Sequence, residues 1–190
     1  MDAKVARATK VQPSWERNLS VAERVAMLKA GLKALGQQGE SLAALITAEM
    51  GKVGSEASEE VEGACDKDDW LDQVAEANRP NLVGASDGAQ AVVTRDAMGV
   101  VVVLAPWNFP AVEILLLALP ALVAGNCVIV KPSEVVPLCG EMVVNALCTT
   151  LPEGVLQLAQ GDGAVNALSL YRNKQTNKHT HTLSNLCYTC

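Results

Sequence analysis

Gly99 to Glu134, GVVVVLAPWNFPAVEILLLALPALVAGNCVIVKPSE, is the stretch whose reading decides the fold. Val100 to Ala105 is an unbroken apolar run, and its lack of alternation predicts a strand buried on both faces, as in a parallel sheet covered by helices. Pro106 ends that strand, and Trp107, Asn108, Phe109 and Pro110 make a compact turn. Pro110 suits the first position of a helix running to Ala124, where its missing N–H costs nothing. Gly125 and Asn126 close the helix, Cys127 to Val130 forms a second buried strand, and Lys131-Pro132-Ser133-Glu134 is a polar loop at its end. The unit is βαβ, and in open α/β sheets ligands bind at such loops.

Two plainer readings compete with this one. Ile114 to Val130 is a run of 17 uncharged residues, near the ~20 of a membrane span, but Pro120, Gly125 and Asn126 interrupt it where a span would be continuous. A buried helix followed by a buried strand accounts for both the interruptions and the β-branched end. The other reading makes the stretch plain core with Asn108 and Lys131 as incidental loop residues, and composition alone does not exclude it.

Three motifs in series carry a resemblance. Pro106-Trp107-Asn108-Phe109-Pro110, Pro120 to Asn126 and Lys131-Pro132-Ser133-Glu134 follow one another as in the NAD(P)-dependent aldehyde dehydrogenase superfamily. Leu151 to Val155 and Gln160-Gly161-Asp162-Gly163 extend the likeness downstream, and Trp15, Leu19 to Arg24 and Glu49-Met50-Gly51-Lys52 extend it upstream. The chain resembles the N-terminal portion of that family over residues 13 to 170. The fold this implies is α/β, with N-terminal helices followed by an incomplete Rossmann-like parallel sheet (βαβαβ). The division expected is a helical segment and arm over 1–98, a partial dinucleotide-binding domain over 99–170 and a divergent tail over 171–190.

Composition narrows the partners. The chain of 190 residues has 49% hydrophobic, 19% charged and 3% aromatic residues, which suits an aliphatic core without stacking platforms for bases. A net charge of −6 and a pI of about 4.9 argue against nucleic acid, whose binding rests on neutralising phosphates. No membrane association is expected. The N-terminus has no apolar leader core, so the expected location is cytoplasmic. The six cysteines are scattered, three of them in apolar segments where a free thiol behaves as a small hydrophobe, and disulfides are not expected.

Upstream of the central unit, residues 1 to 19 read as an arm of mixed character anchored by Pro13 and Trp15. Ser20 and Glu23 make a capping box, and Val21, Val25, Leu28, Leu32 and Leu35 recur at helical spacing. Ser41 to Met50 predicts a second helix stopped at Gly51, a left-handed cap. A third is expected from about Ser55 to Asn78. Its carboxylates, Glu56, Glu59, Glu60, Glu62, Asp66, Asp68, Asp69 and Asp72, lie around the helix with Lys67 among them and read as a solvated face, not as a metal site. Asn81 to Gln90 reads as a loop and Ala91 to Arg95 as an exposed strand, an arm that in the resembled family belongs to an oligomerisation subdomain and so implies homo-oligomers.

Downstream, Pro137 opens a helix to about Thr149, and Val155 to Ala159 is a third short strand. Gly161-x-Gly163 would let backbone N–H groups approach a pyrophosphate, although the third glycine is missing and a tight turn reads equally well. From Tyr171 periodicity vanishes and a disordered tail is expected, its origin read as truncation, altered splicing or an out-of-frame end. His179, His181, Cys187 and Cys190 have the chemistry of zinc ligands, but without a supporting core no metal site is read there.

The resemblance implies oxidation of a small-molecule aldehyde to a carboxylic acid with NAD, or NADP, through a cysteine thiohemiacetal. It makes Asn108 the side-chain donor to the oxyanion. Lys131 and Glu134 would hold the adenosine ribose, Ser133 belongs to the same loop, and Ala105, Pro106, Trp107 and Asn108 line the cofactor cleft, with Gly161 and Gly163 beside it. Glu134 favours NAD, because a carboxylate repels a 2′-phosphate. No Gly-Gln-x-Cys segment, no Glu-Leu-Gly-Gly-Lys segment and no Gly-Ser pyrophosphate motif is found. Cys127, which opens a buried strand, reads as structural. The expectation is a cofactor half-site inactive by itself; the alternative is a non-catalytic product that binds a nucleotide weakly or only associates. Its three strands would leave sheet edges open, which invites aggregation.

Overall fold

The computed structural model describes residues 1–86 and 89–162. Gly163 and the tail from Tyr171, with its histidines and its Cys-x-x-Cys, lie outside the described residues.

The central unit forms where its apolar pattern predicts, but Val100–Leu104, expected to be buried on both faces, lies at the edge of its sheet and is only partly buried, with Leu104 50% exposed. Strands β3 (Val100–Leu104), β4 (Cys127–Lys131) and β5 (Leu156–Leu158) make a parallel sheet in the order β3-β4-β5. The register places Leu104 opposite Lys131 and Val130 opposite Leu158. Helix α6 (Val112–Val123) connects β3 to β4, and α7 (Pro137–Cys148) connects β4 to β5. Two right-handed crossovers that step the same way across a sheet lay both helices on one face. Every residue of β4 is buried, which is why that segment shows no alternation. Helix α6 begins at Val112, two residues after Pro110, which sits in the preceding turn instead of at the first helical position.

The second face of the sheet is covered by residues read from sequence as an arm. Residues Asp2–Arg17 form helix α1, whose Val5 packs with Ile129 and Ala159, while Val128 and Val130 on the alternate face join the main core. Trp15 is 1% exposed, and its Nε1 donates to the Leu122 carbonyl at 3.1 Å.

Helix α2 (Val21–Gly36) starts at the expected capping box, with Ser20 Oγ accepting from the Glu23 amide and the Glu23 carboxylate accepting from the Ser20 amide. Helix α3 (Gly39–Met50) ends at Gly51 with φ 78°, the left-handed cap its sequence required. The stretch read as one helix from Ser55 to Asn78 is two, α4 (Gly54–Cys65) and α5 (Asp68–Ala77), broken at Asp66 and Lys67. Val61 and Leu71, one on each side of the break, both face the core. Helices α2 to α5 form an outer layer against α6 and α7.

Asn81–Ser86, read as loop, is strand β1; it pairs antiparallel with β2 (Ala89–Val93), with an irregularity between Leu82 and Gly84. Leu82, Val83, Val92 and Val93 remain about half exposed. Among the described residues no helix is long and apolar enough to cross a membrane.

Candidate functional site

The loops that follow β3, β4 and β5 share one edge of the sheet, because the strands are parallel and adjacent. The Ala105 amide donates to the Lys131 carbonyl at 3.1 Å and the Ala159 amide to the Val130 carbonyl at 2.7 Å, so the ladder continues into all three loops. Pro106-Trp107-Asn108, Lys131 to Glu134 and Gly161 therefore stand beside one another. Gly161 takes φ 128°, a conformation that favours glycine and fits either a turn or a close approach to a ligand.

Lys131 ends β4 with its side chain 7% exposed and its Nζ donating to Glu134 Oε2 at 2.7 Å; Glu134 itself is 58% exposed. The ammonium is thus held at the mouth of the loop, with an outward carboxylate that can accept from hydroxyl groups. That hydrogen bond keeps the Glu134 carboxyl below its ordinary range. By linkage, the contribution of the pair is present above the unfolded carboxylate pKa and fades as pH falls through the lowered one. Ser133 Oγ accepts from the Val135 amide at 3.2 Å and shapes the turn rather than facing outward.

Ala105 is buried, Pro106 and Trp107 are exposed, and Asn108 is half-buried. Among the described residues the Asn108 side-chain amide makes no hydrogen bond, whereas its backbone carbonyl accepts from Lys52 Nζ at 2.9 Å. Lys52 also pairs with Glu60, and Glu60 Oε1 accepts from the amides of Ala111 at 3.0 Å and Val112 at 3.4 Å. The first turn of α7 is held in a related way, with both oxygens of Glu49 accepting, from Leu138 at 3.0 Å and Cys139 at 2.8 Å. Carboxylates at helix N-termini satisfy free amides and complement the helix dipole.

Glu49, Lys52 and Glu60 escaped the sequence reading as participants in this region. Glu60 corrects the solvated-face reading, being 6% exposed while its acidic neighbours on α4 and α5 face water. One signal was available for Glu49, which falls on the apolar face with Leu42, Leu45 and Ile46. No comparable signal marks the pairing of Lys52 with Glu60.

Of the described cysteines Cys127 and Cys139 are buried, Cys65 is half-buried and Cys148 lies at the surface. Burial pushes the thiols of Cys65, Cys127, Cys139 and Cys148 up, that of Cys127 to about 12, so these side chains stay neutral thiols near neutral pH. Mild alkylation of the folded chain is expected to leave Cys127 unmodified and to label it only after unfolding; labelling in the folded state at the rate of a free thiol would contradict this. Among the described residues no group of three or more His, Cys, Asp or Glu could hold a metal ion. A surface groove of about 550 Å³ between α3 and α7, lined by Leu45, Leu138, Met142 and Asn145 among others, includes none of Asn108, Lys131, Ser133, Glu134 and Gly161.

The aldehyde dehydrogenase family matches this chain over residues 1–185. It is 34% identical over 165 residues to a 3,6-anhydro-alpha-L-galactose dehydrogenase of Streptomyces coelicolor, covering 86% of this chain and 33% of that protein. It is 35% identical over 167 residues to a probable succinate-semialdehyde dehydrogenase (NADP(+)) of Sinorhizobium fredii, covering 84% and 33%. The solved structure of an NADP-dependent glyceraldehyde-3-phosphate dehydrogenase from Bacillus halodurans, complexed with NADP, superposes with a TM-score of 0.83 at 29% identity, over 90% of this chain and 37% of that one. The chain spans about a third of the length of the relatives it matches. Motifs, fold and relatives agree, and the chain belongs to the aldehyde dehydrogenase family.

Proposed function

We propose that the edge formed by the β3, β4 and β5 loops is the adenosine side of a nicotinamide dinucleotide site, and that the chain contributes to oxidation of an aldehyde to a carboxylic acid. The observation that carries this is the Lys131–Glu134 pair at the end of a fully buried central strand, beside a loop whose Asn108 amide is uncommitted. The donor set fits such a ligand. A fixed ammonium can donate to ribose oxygens and a carboxylate can accept from ribose hydroxyls, while Ala105, Pro106 and Trp107 give the cleft an apolar wall. Ser133, by holding its own turn, keeps Glu134 in place, and Gly161 leaves room for the backbone to approach the ligand. A bound nicotinamide dinucleotide supplies a hydride acceptor.

Asn108 then acts as a donor. Oxidising an aldehyde by way of an added nucleophile places negative charge on the carbonyl oxygen, and a side-chain N–H already aimed at that oxygen stabilises it without reorganisation. The nucleophile comes from elsewhere than the four described cysteines, whose thiols burial keeps protonated. Residues 99–170 make up the partial dinucleotide-binding domain in this reading, residues 1–98 its helical cover and hairpin arm, and the exposed apolar hairpin is the segment through which copies would associate.

Calorimetric titration of NAD and of NADP into the chain tests the proposal. Saturable binding is expected, NAD tighter than NADP by about tenfold because Glu134 repels a 2′-phosphate, and Lys131→Ala is expected to weaken NAD by at least about tenfold. A folded sample that gives no binding heat with either nucleotide would overturn it.

A further inference from the structure

The turn that carries Asn108 is held from both sides by one ion pair. Lys52 lies in the short link between α3 and α4, and Glu60 is in the second turn of α4. Their side chains are 8% and 1% exposed. Lys52 Nζ donates to the Asn108 carbonyl at 2.9 Å and stands 3.9 Å from the centroid of the Phe109 ring. Glu60 Oε1 holds the amides of Ala111 and Val112, three and four residues further on.

Burying a lysine and a glutamate is costly, and an ion pair in a core is weak evidence of stabilisation by itself. Capping α6 requires only Glu60. The bond from Lys52 to the Asn108 carbonyl satisfies no helix group. What it does is fix the backbone of the residue whose side-chain amide is free, and the ring contact fixes the next residue as well. Polar groups that stabilise a transient charge act only when held to within about half an ångström of their working position.

We infer that Lys52 and Glu60 are positioning residues that hold Asn108 in place as an oxyanion donor, an inference that rests on the role proposed for Asn108 above. The pair ties the oxyanion loop to the helical layer. Neither residue touches the Lys131–Glu134 loop, so the two halves of the edge are held by separate devices.

The test uses the full chain labelled with ¹⁵N, with Asn108→Ala to identify the side-chain amide signals. In Lys52→Met those signals are expected to shift from their parent positions and broaden as the turn loses its fixed conformation. Hydrogen-exchange protection of Ala111 and Val112 should fall by at least about tenfold while that of Val143, Val144 and Leu147 in α7 stays within about twofold. Lys52→Arg, whose guanidinium can reach both the carbonyl and Glu60, should restore the Asn108 signals. Unchanged Asn108 signals in Lys52→Met would overturn the inference, as would a uniform loss of protection across α6 and α7 or a failure of Lys52→Arg to restore them. Should Lys52→Met not fold, Glu60→Gln keeps the shape and an acceptor oxygen, and the same comparison of the turn with α7 decides. NAD binding read on the same samples separates the two proposals, since its absence in the parent chain would sink the nucleotide site and leave the positioning result standing.

Discussion

Arg24→Met is expected to destabilise the chain by about 4 kcal/mol, read as a lower urea midpoint at unchanged slope and a melting temperature lower by roughly 10 °C. Arg24 is 5% exposed and closes two helix ends. Its Nε donates to the Val123 carbonyl at 3.0 Å, at the end of α6, and its Nη1 to the carbonyls of Trp15, Glu16 and Leu19 at 3.4, 3.1 and 2.5 Å, where α1 ends and turns into α2. Carbonyls at a helix C-terminus have no partner within the helix, and the bonds to Val123 and Trp15 are buried while those to Glu16 and Leu19 are partly so. Methionine fills comparable volume but donates nothing, so several acceptors lose their bonds together. Burial works against the guanidinium charge and lowers its pKa, but the helix ends it faces are the negative ends of their dipoles. Arg24→Lys should recover only part of the loss, because one ammonium cannot span carbonyls on two helices. A loss below about 1 kcal/mol in Arg24→Met would show that the helix ends are satisfied in some other way.

Arg24 also shows what a linear reading misses. In the sequence it is one more polar position on an amphipathic helix, and nothing nearby marks it as the donor to residues five to ninety-nine positions away. The same holds for Glu60, one acid among many. Its burial is decided by where the turn of Ala111 falls, and that is a tertiary fact. By contrast, the central unit was legible because burial on both faces leaves a mark in every residue of β4, and the capping box was legible because both of its partners lie within one turn.

Helix α1 lay between these cases. Val5, Ala8 and Trp15 are its buried residues, spaced for one face, but charged neighbours and Pro13 dilute the pattern. Its need becomes visible only from the sheet: a strand buried on both faces requires a cover on each, and the crossover helices supply one. Of the candidate site, the residues at the strand ends were readable from the motifs. The groups that hold those loops, Glu49, Lys52 and Glu60, were not, because each acts on a backbone atom of a distant segment.

Gly140→Ala is expected to destabilise the chain by about 2 to 3 kcal/mol and to weaken NAD binding by at least about tenfold, against the rule that alanine improves a helix interior by roughly 1 kcal/mol over glycine. Gly140 lies in the first turn of α7, and a Cβ there would stand 2.4 Å from Pro132 Cβ and 2.6 Å from Pro132 Cγ. Neither group can step aside cheaply. The proline ring is rigid and follows the last residue of β4, and α7 is fixed from its other side by Leu147 against α2, where a Cβ on Gly31 would likewise stand only 2.8 Å from Leu147 Cδ2. Relief must therefore come from moving Pro132, which displaces Lys131 and Glu134 on either side of it. Gly63 in α4 provides the opposite case, since a Cβ there meets nothing within 4 Å, and Gly63→Ala should raise stability by about 1 kcal/mol without changing nucleotide affinity. Should Gly140→Ala stabilise the chain as Gly63→Ala does, the contact between α7 and Pro132 would be looser than drawn. Should it destabilise the chain yet leave NAD affinity intact, the Lys131–Glu134 loop would be indifferent to Pro132, and the nucleotide site would have to be built on other residues.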